Sequence, residues 1–123
     1  MTTRELPVTE WDRLCDTDLP AALVYVRPED AKVMVVERDG RIVGAWAALR
    51  VTHLEGVWIA PEYRKRASVA GRLLRAGLEA ARSFGSRWAM TGAQTEDVAA
   101  LIRTHLGGVR IPMDTYVIPL EGR

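Results

Sequence analysis

The chain has 123 residues, of which 48% are hydrophobic, and this is enough for a single domain, residues 1–123, with a buried core. Seventeen Lys and Arg residues nearly balance sixteen Asp and Glu residues, which excludes the overall positive field of a nucleic-acid or membrane-surface binder. The single cysteine excludes an intramolecular disulfide, no Cys/His spacing indicates a metal site, and the lack of a long apolar run predicts a cytoplasmic protein.

The N-terminal quarter contains a short helix in an otherwise ambiguous stretch. A possible strand, Arg4–Val8, precedes a helix over Thr9–Cys15, in which the Thr9 hydroxyl can cap the first turn. Residues 16–31 fit two structures, because Pro20 could open a second helix, whereas the Leu-Val-Tyr-Val run is equally typical of extended chain. The sequence leaves both open.

Three runs rich in β-branched and aromatic residues follow. Lys32–Glu37 and Arg41–Val51 are separated by a segment that ends in Asp39-Gly40, a pair that adopts the positive φ angles of a tight hairpin turn. A third run, His53–Ile59, alternates after a short break, so we expect a three-stranded antiparallel meander. Pro61 ends the third strand because it has no N–H to donate.

A long amphipathic helix is predicted after this strand. Ser68 can cap it and Gly85 can end it. Its apolar or small residues recur at the three-and-four spacing of one helical face. These positions are 70, 73, 74, 77, 78, 81 and 84.

The remaining elements complete an α/β pattern. Trp88–Gly92 is a candidate strand, Thr95 caps a second helix that Leu106-Gly107-Gly108 closes, and Asp114–Leu120 is a candidate final strand. The order predicts a single-domain mixed, mostly antiparallel twisted sheet with helices on both faces.

A cluster of cations lies just before the long helix. Arg64, Lys65 and Arg66 stand where the helix dipole is positive, so their charges are unfavourable without a counter-ion. The free N–H groups of the first helical turn add directed donors, and a diphosphate would satisfy both. The alternative is a solvated basic loop.

The segment 54–74 resembles the central motif of the GNAT (acyl-CoA N-acyltransferase) superfamily. Ile59-x-Pro61-x-Tyr63-Arg64 and Leu73-Leu74 match the strand end and the helix start of that motif. The glycine-rich turn departs from it: the turn aligns either as Lys65-x-x-Ser68-x-Ala70 or as Arg64-x-x-Ala67-x-Val69, and neither has the first glycine. The resemblance implies the GNAT-like fold and acetyl-CoA as co-substrate.

The resemblance also implies which residues bind the co-substrate. The pantetheine arm would enter a gap between the strand that ends at Ile59 and its parallel neighbour near Trp88–Gly92, while the basic turn and the helix start would cradle the diphosphate. The residues so implied are Val57, Trp58, Ile59, Arg64, Lys65, Arg66, Ala67, Ser68, Val69, Ala70 and Gly71.

For catalysis, the resemblance implies direct attack of an amine on the thioester. Glu55 is the expected general base, with His53 as an alternative that acts directly or through water. The family's tyrosine acid is replaced by Arg103, and the asparagine often found at the start of its helix is replaced by Glu96. Either water protonates the leaving thiolate or catalysis has been lost.

Three functions are therefore compatible with the sequence. The first is an N-acetyltransferase for a primary amine of a small molecule or a peptide; the second is a degenerate, non-catalytic GNAT protein that binds CoA or a protein partner. The third is a small protein whose meander binds another protein through exposed Trp and Tyr residues. Uncovered sheet edges predict a homodimer.

Overall fold

A computed structural model describes residues 1–93, 95–111, 113 and 115–122. The elements are, in chain order, β1 (Thr2–Leu6), α1 (Leu19–Leu23), β2 (Ala31–Arg38), β3 (Arg41–Leu49), β4 (Thr52–Leu54), α2 (Ala67–Ser83), β5 (Ala89–Thr91) and α3 (Glu96–Leu106). The chain forms two units, residues 1–92 and residues 93–123. The α/β class with mixed, mostly antiparallel strands is confirmed.

The first unit is built on a three-stranded antiparallel sheet in the order β1-β2-β3. The predicted hairpin is confirmed, because Asp39 and Gly40 both have positive φ angles, 54° and 77°. Such a turn matches the twist of the two strands that it joins. The register shifts between Val36 and Glu37, where a β-bulge bends the hairpin close to its turn.

Most of the buried apolar side chains form one cluster, to which the sheet, the 3₁₀ helix and α1 all contribute. Leu14 and Val33 are 0% exposed, and Leu6, Leu23 and Val35 complete the cluster. The indole N–H of the half-buried Trp11 donates to the carbonyl oxygen of Leu6 at 3.2 Å. This hydrogen bond satisfies the polar edge of the indole while its ring packs against the cluster.

The segment between β1 and β2 differs in part from the prediction. The strand begins at Thr2 and ends at Leu6, and the predicted Thr9-capped helix is a 3₁₀ helix over Val8–Leu14 that Pro7 precedes without any side-chain cap. Pro7 fixes the extended entry to this helix and removes an N–H that would need a cap. The ambiguous stretch contains α1, a helix of little more than one turn with Pro20 in its first turn.

Four charged side chains join β1, the 3₁₀ helix and the hairpin. Arg4 and Arg13 each contact both Glu10 and Glu37, and Arg13 also donates to the carbonyl oxygen of Gly40 at 3.2 Å. Hydrogen bonds from Arg4 and Arg13 lower the pKa of Glu10 to about 2, and the same two guanidinium groups lower the pKa of Glu37. Paired charges of this kind fix the entry of the chain onto the sheet.

The predicted three-stranded meander is wrong. β4 covers only Thr52–Leu54, and it pairs in parallel with β5 in a separate two-stranded sheet, with Thr52 opposite Ala89 and Leu54 opposite Thr91. The break at Arg50 and Val51 turns the chain away from β3. The expected parallel neighbour is therefore present, although it covers Ala89–Thr91 rather than Trp88–Gly92.

The long helix α2 lies against β4 and buries the predicted face only in part. Leu73 and Phe84 are 41% and 74% exposed. Ser68 does not cap α2, because the helix already begins at Ala67. Gly85, with φ of 79°, ends the helix as predicted, and its N–H donates to the carbonyl oxygen of Arg82 at 2.9 Å. The predicted positions that are at least half-buried are Ala70, Leu74, Gly77, Leu78 and Ala81.

The second unit contains α3. The Thr95 hydroxyl accepts from the N–H of Val98 at 3.3 Å, and Gly107, with φ of 65°, ends the helix, so both predicted ends are confirmed. The predicted final strand is wrong over residues 115–120, because these residues belong to no strand of the described chain, while Asp114 lies outside the described residues. No helix in the described part of either unit is long and apolar enough to cross a membrane.

Candidate functional site

The backbone between β4 and the basic turn lies outside both sheets. Pairing with β5 ends at Leu54, and among the described residues the main-chain groups of Val57 and Trp58 make no hydrogen bond. Both side chains are exposed, Trp58 to 72%. Free main-chain donors and acceptors in an extended stretch are what an incoming polyamide arm needs to add itself as a strand.

The basic turn that follows is ordered by local hydrogen bonds. A 3₁₀ helix covers Pro61–Tyr63, and the N–H of Tyr63 donates to the carbonyl oxygen of Ala60 at 2.9 Å. The N–H of Arg66 donates to the carbonyl oxygen of Tyr63 at 3.0 Å. These bonds connect residues three apart, so the path from residue 60 to residue 66 depends little on the rest of the protein.

The three cations of the turn have different surroundings. The Nε–H of Arg64 donates to the carbonyl oxygen of Ile59 at 2.9 Å. The guanidinium carbon of Arg66 lies 5.0 Å from the centroid of the Tyr63 ring, a cation–π contact. Lys65 is exposed, and in the described ranges none of the three cations forms an ion pair with a carboxylate.

Helix α2 begins directly after these cations. Arg66 is its N-cap, with φ of −101° and ψ of 112°, and no side chain accepts a hydrogen bond from the first turn. The first N–H groups of a helix have no partner within the helix, so those of Ala67, Ser68 and Val69 remain available to a ligand. Three positive side chains beside the positive end of the helix dipole favour an anion there.

The residues that replace the family's glycines are compatible with this geometry. Ala67 and Ser68 lie in the first turn of α2, and neither has the positive φ that only glycine adopts easily. A side chain built at Gly71 would meet no atom within 4 Å, so the surface beside the first turn is open. These observations fit a diphosphate group held by main-chain N–H groups and cations.

The expected general base lies outside any strand. Glu55 is exposed, and its Oε1 accepts from the N–H of Gly56 at 3.3 Å, which leaves the other carboxylate oxygen free. His53 is also exposed, on the strand β4. The prediction that Glu55 continues this strand is wrong, because pairing stops one residue earlier. Its catalytic role stays a prediction.

In the second unit, the two residues at the family's asparagine and tyrosine positions contact each other. Nη2 of Arg103 lies 2.7 Å from Oε1 of Glu96, and this contact lowers the pKa of Glu96. The pair spans two turns of α3 and replaces the polar groups that the resemblance would place there. Tyr116 is 80% exposed and belongs to no helix or strand.

Two features of the site could not be seen in the sequence. One is the hydrogen bond from Arg64 to Ile59, and the other is the cation–π contact of Arg66 with Tyr63. Both depend on side-chain rotamers, which the sequence does not indicate.

An open surface cavity of about 360 Å³ lies at the β2–β3 turn, and none of the predicted site residues lines it. In the described chain, no three or more His, Cys, Asp or Glu side chains are grouped to hold a metal ion.

This chain is similar to several solved structures at low sequence identity. An apo aminoglycoside antibiotic 6′-N-acetyltransferase from Acinetobacter haemolyticus is 17% identical, with 97% of this chain and 98% of that chain covered and a TM-score of 0.41. A ribosomal-protein-alanine N-acetyltransferase from Brucella melitensis biovar Abortus 2308 is 13% identical, with coverages of 98% and 100% and a TM-score of 0.40. Among curated proteins no relative matches.

Family membership rests on a sequence match and not on these structures, whose TM-scores are below 0.5. The sequence model described as "Acetyltransferase (GNAT) family" matches residues 2–107, a range that includes the basic turn, α2 and α3. Because this match spans most of its length, the chain belongs to the acetyltransferase (GNAT) family.

Proposed function

We propose that this protein is an acyl-CoA-dependent N-acyltransferase that transfers an acetyl group from acetyl-CoA directly to a primary amine. One observation carries the proposal. The uncapped N-terminus of α2 follows three cations that have no carboxylate partner in the described chain, at the position where the family binds its thioester donor. An anionic ligand is the simplest way to offset this concentration of positive charge.

The donor would lie along two consecutive segments. Its diphosphate would accept hydrogen bonds from the free N–H groups of Ala67, Ser68 and Val69 at the start of α2, and from Lys65 and Arg66. Its pantetheine amides would bond to the free main-chain groups of Val57 and Trp58. The Ile59 carbonyl already accepts from Arg64, so at that residue the N–H is the group that remains.

The chemistry needs one proton acceptor and one proton donor. The neutral amine nitrogen forms a bond to the thioester carbonyl carbon, the carbon–sulfur bond breaks, and the sulfur leaves as a thiolate with the electron pair of that bond. The nitrogen then loses a second proton, to solvent, and becomes the amide nitrogen. Glu55, directly or through water, accepts the proton that the ammonium must lose. Arg103 cannot serve as the acid because a guanidinium does not release its proton, so water protonates the thiolate.

The acceptor is an amine of a small molecule or of a peptide. Glu55 and Trp58 are exposed, so an amine on a larger molecule can reach the stretch between β4 and the basic turn from solvent. Action in the cytoplasm and formation of a homodimer remain predictions.

A second candidate function is supported by the departures from the family motif. A non-catalytic GNAT protein that binds CoA or a protein partner would need no proton donor, and the Arg103–Glu96 ion pair stands where the resemblance implies a tyrosine and an asparagine. The two candidates differ in turnover, not in fold.

Two measurements separate the candidates. Acetyl-CoA should raise the melting temperature of the protein, because a ligand that binds only the folded state stabilises it. Release of free thiol should then depend on an added amine from a panel of polyamines, aminoglycosides and short peptides. Stabilisation without thiol release would favour the non-catalytic candidate, and the absence of both would contradict the proposal that this site binds acyl-CoA.

A further inference from the structure

The side chain of Arg64 closes the loop that joins β4 to the basic turn. We propose that Arg64 is a positioning residue for the site, which holds the free main-chain groups of Val57 and Trp58 in place, and that it is not itself a ligand of the anion. This inference rests on the proposed function and refines it. Of the three cations that the sequence assigned to the diphosphate, only Lys65 and Arg66 keep that role.

The contact that carries the inference joins a side chain to the main chain. The Nε–H of Arg64 donates to the carbonyl oxygen of Ile59 at 2.9 Å. Other hydrogen bonds of the turn, such as those between Ala60 and Tyr63 and between Tyr63 and Arg66, begin at residue 60 or later. In the described chain the Arg64 contact is therefore the hydrogen bond that attaches the Ile59 carbonyl to the ordered turn.

This attachment matters because the stretch before Ile59 has no strand partner within the described ranges. Its N-terminal end is fixed where Leu54 pairs with Thr91, and its C-terminal end is fixed where Arg64 holds Ile59. The main-chain groups of Val57 and Trp58 lie between these two anchors, so loss of either anchor would free them to rotate. A binding stretch that is already ordered loses less conformational entropy when a ligand pairs with it.

Arg66 has a different anchor, which leaves its donors free. Its guanidinium carbon lies over the ring of Tyr63, 5.0 Å from the centroid, and in the described chain no N–H of this guanidinium donates to a protein acceptor. All of its donors at the rim therefore remain available to an anion beside the first turn of α2. The structure thus divides the cations between shaping the loop and binding the ligand.

Substitutions at Arg64 can separate its donor from its charge. In glutamine the amide nitrogen is bonded to Cδ, as Nε is in arginine, so Arg64→Gln keeps a donor at the same distance along the side chain and removes the charge. Arg64→Met keeps a side chain of similar length but removes both the donor and the charge. Arg64→Lys keeps the charge and has a methylene group in place of Nε–H. For the spectra of the free protein Lys65→Met is the matched control, because it removes one charge from the same turn and no described contact. As a ligand of the diphosphate, Lys65 is not a control for affinity.

The first readout needs no ligand. In ¹H–¹⁵N spectra of the free protein, Arg64→Gln should leave the amide shifts and backbone order parameters of residues 57–60 close to those of the wild type. Arg64→Met and Arg64→Lys should shift these amides and lower their order parameters toward the values of a flexible loop, below about 0.6. Equal spectra for all three variants would overturn the positioning role, whether or not the protein binds acetyl-CoA.

The second readout is the dissociation constant for acetyl-CoA by calorimetry. The positioning role predicts wild-type affinity for Arg64→Gln and about fivefold weaker binding for Arg64→Met and Arg64→Lys. An anion ligand would give the reverse pattern, with Arg64→Lys retained and Arg64→Gln as weak as Arg64→Met. If the wild type does not bind acetyl-CoA at all, the proposed function fails, and the spectra alone decide the role of Arg64.

Discussion

In the first unit, the β1-β2-β3 sheet and the junction before α2 are held by different interactions. The β1-β2-β3 sheet is held by buried apolar side chains, including Leu14 and Val33, which are both 0% exposed. The junction from residue 55 to residue 68 has no buried side chain, and short-range hydrogen bonds order its second half. The comparison indicates that global stability resides in the sheet, whereas the junction keeps its path through short-range contacts and contributes little to global stability.

The largest expected effect is a loss of turnover on substitution of Glu55, without loss of the stability that the sheet provides. Glu55→Gln removes a proton acceptor at the junction while it keeps the side-chain shape, so kcat should fall by about 10²–10⁴-fold, with little change in acetyl-CoA affinity or in melting temperature. Steady-state kinetics with a responsive amine measure this.

A matched substitution keeps this prediction falsifiable. His53→Gln should have a much smaller effect on kcat than Glu55→Gln, because His53 is only the alternative base. If Glu55→Gln is fully active and His53→Gln is not, the base is His53. If both variants turn over normally, neither residue is the base.

The next effect tests the sheet. Leu14→Ala should lower the free energy of unfolding by about 2–5 kcal/mol, because it opens a cavity in a fully buried cluster. Leu73→Ala, on the exposed side of α2 at 41% exposure, should cost clearly less. Urea unfolding of the two variants compares the sheet with the helix that follows the junction, and equal costs would show that α2 carries as much stability as the sheet.

A smaller effect concerns the acid stability of the sheet. The pKa of Glu10 is lowered to about 2 and that of Glu37 is also lowered, so both carboxylates contribute stability above pH 4.5 that is lost as pH falls toward 2. The melting temperature should therefore decline over this window, and the decline should be shallower in the Glu10→Gln/Glu37→Gln variant. The same slope in both proteins would remove the ion cluster from the account of acid stability.

The smallest effect is expected in α3. Arg103→Ala breaks the exposed ion pair with Glu96, and such pairs contribute little to stability. Turnover should also stay close to that of the wild type, because a guanidinium donates no proton to a thiolate. A collapse of kcat in this variant would show instead that Arg103 contacts a substrate.

The sequence predicted those elements that depend on local chemistry. The Asp39-Gly40 turn, the Thr95 cap and the glycine that ends α2 each follow from the conformational preferences of one or two residues. The predicted third strand failed because residues 55–59 alternate like a strand but have no neighbouring strand among the described residues. A strand exists only with its neighbour, and the sequence does not say where the neighbour ends.

In the candidate site, too, the features that depend on local sequence were predicted and those that depend on side-chain contacts were not. The basic turn and the helix after it are where the motif predicts them, since both depend on the residues at 61–71 alone. The Ser68 cap failed because Arg66, one residue before the first helical residue, has the extended conformation of an N-cap. The roles of Arg64 and Tyr63 require their rotamers, which the order of residues does not specify.

Calorimetric titration of acetyl-CoA into the wild type, Arg66→Ala and Arg75→Ala tests the central claim most directly. Arg75 is a matched control because it is an exposed cation of α2 that lies beyond the first turns and forms no ion pair in the described chain. Saturable binding to the wild type, roughly tenfold weaker binding to Arg66→Ala and unchanged binding to Arg75→Ala are the predicted results. No binding to the wild type at millimolar acetyl-CoA, or equal affinities for all three proteins, would contradict the claim that the basic turn and the N-terminus of α2 bind acyl-CoA.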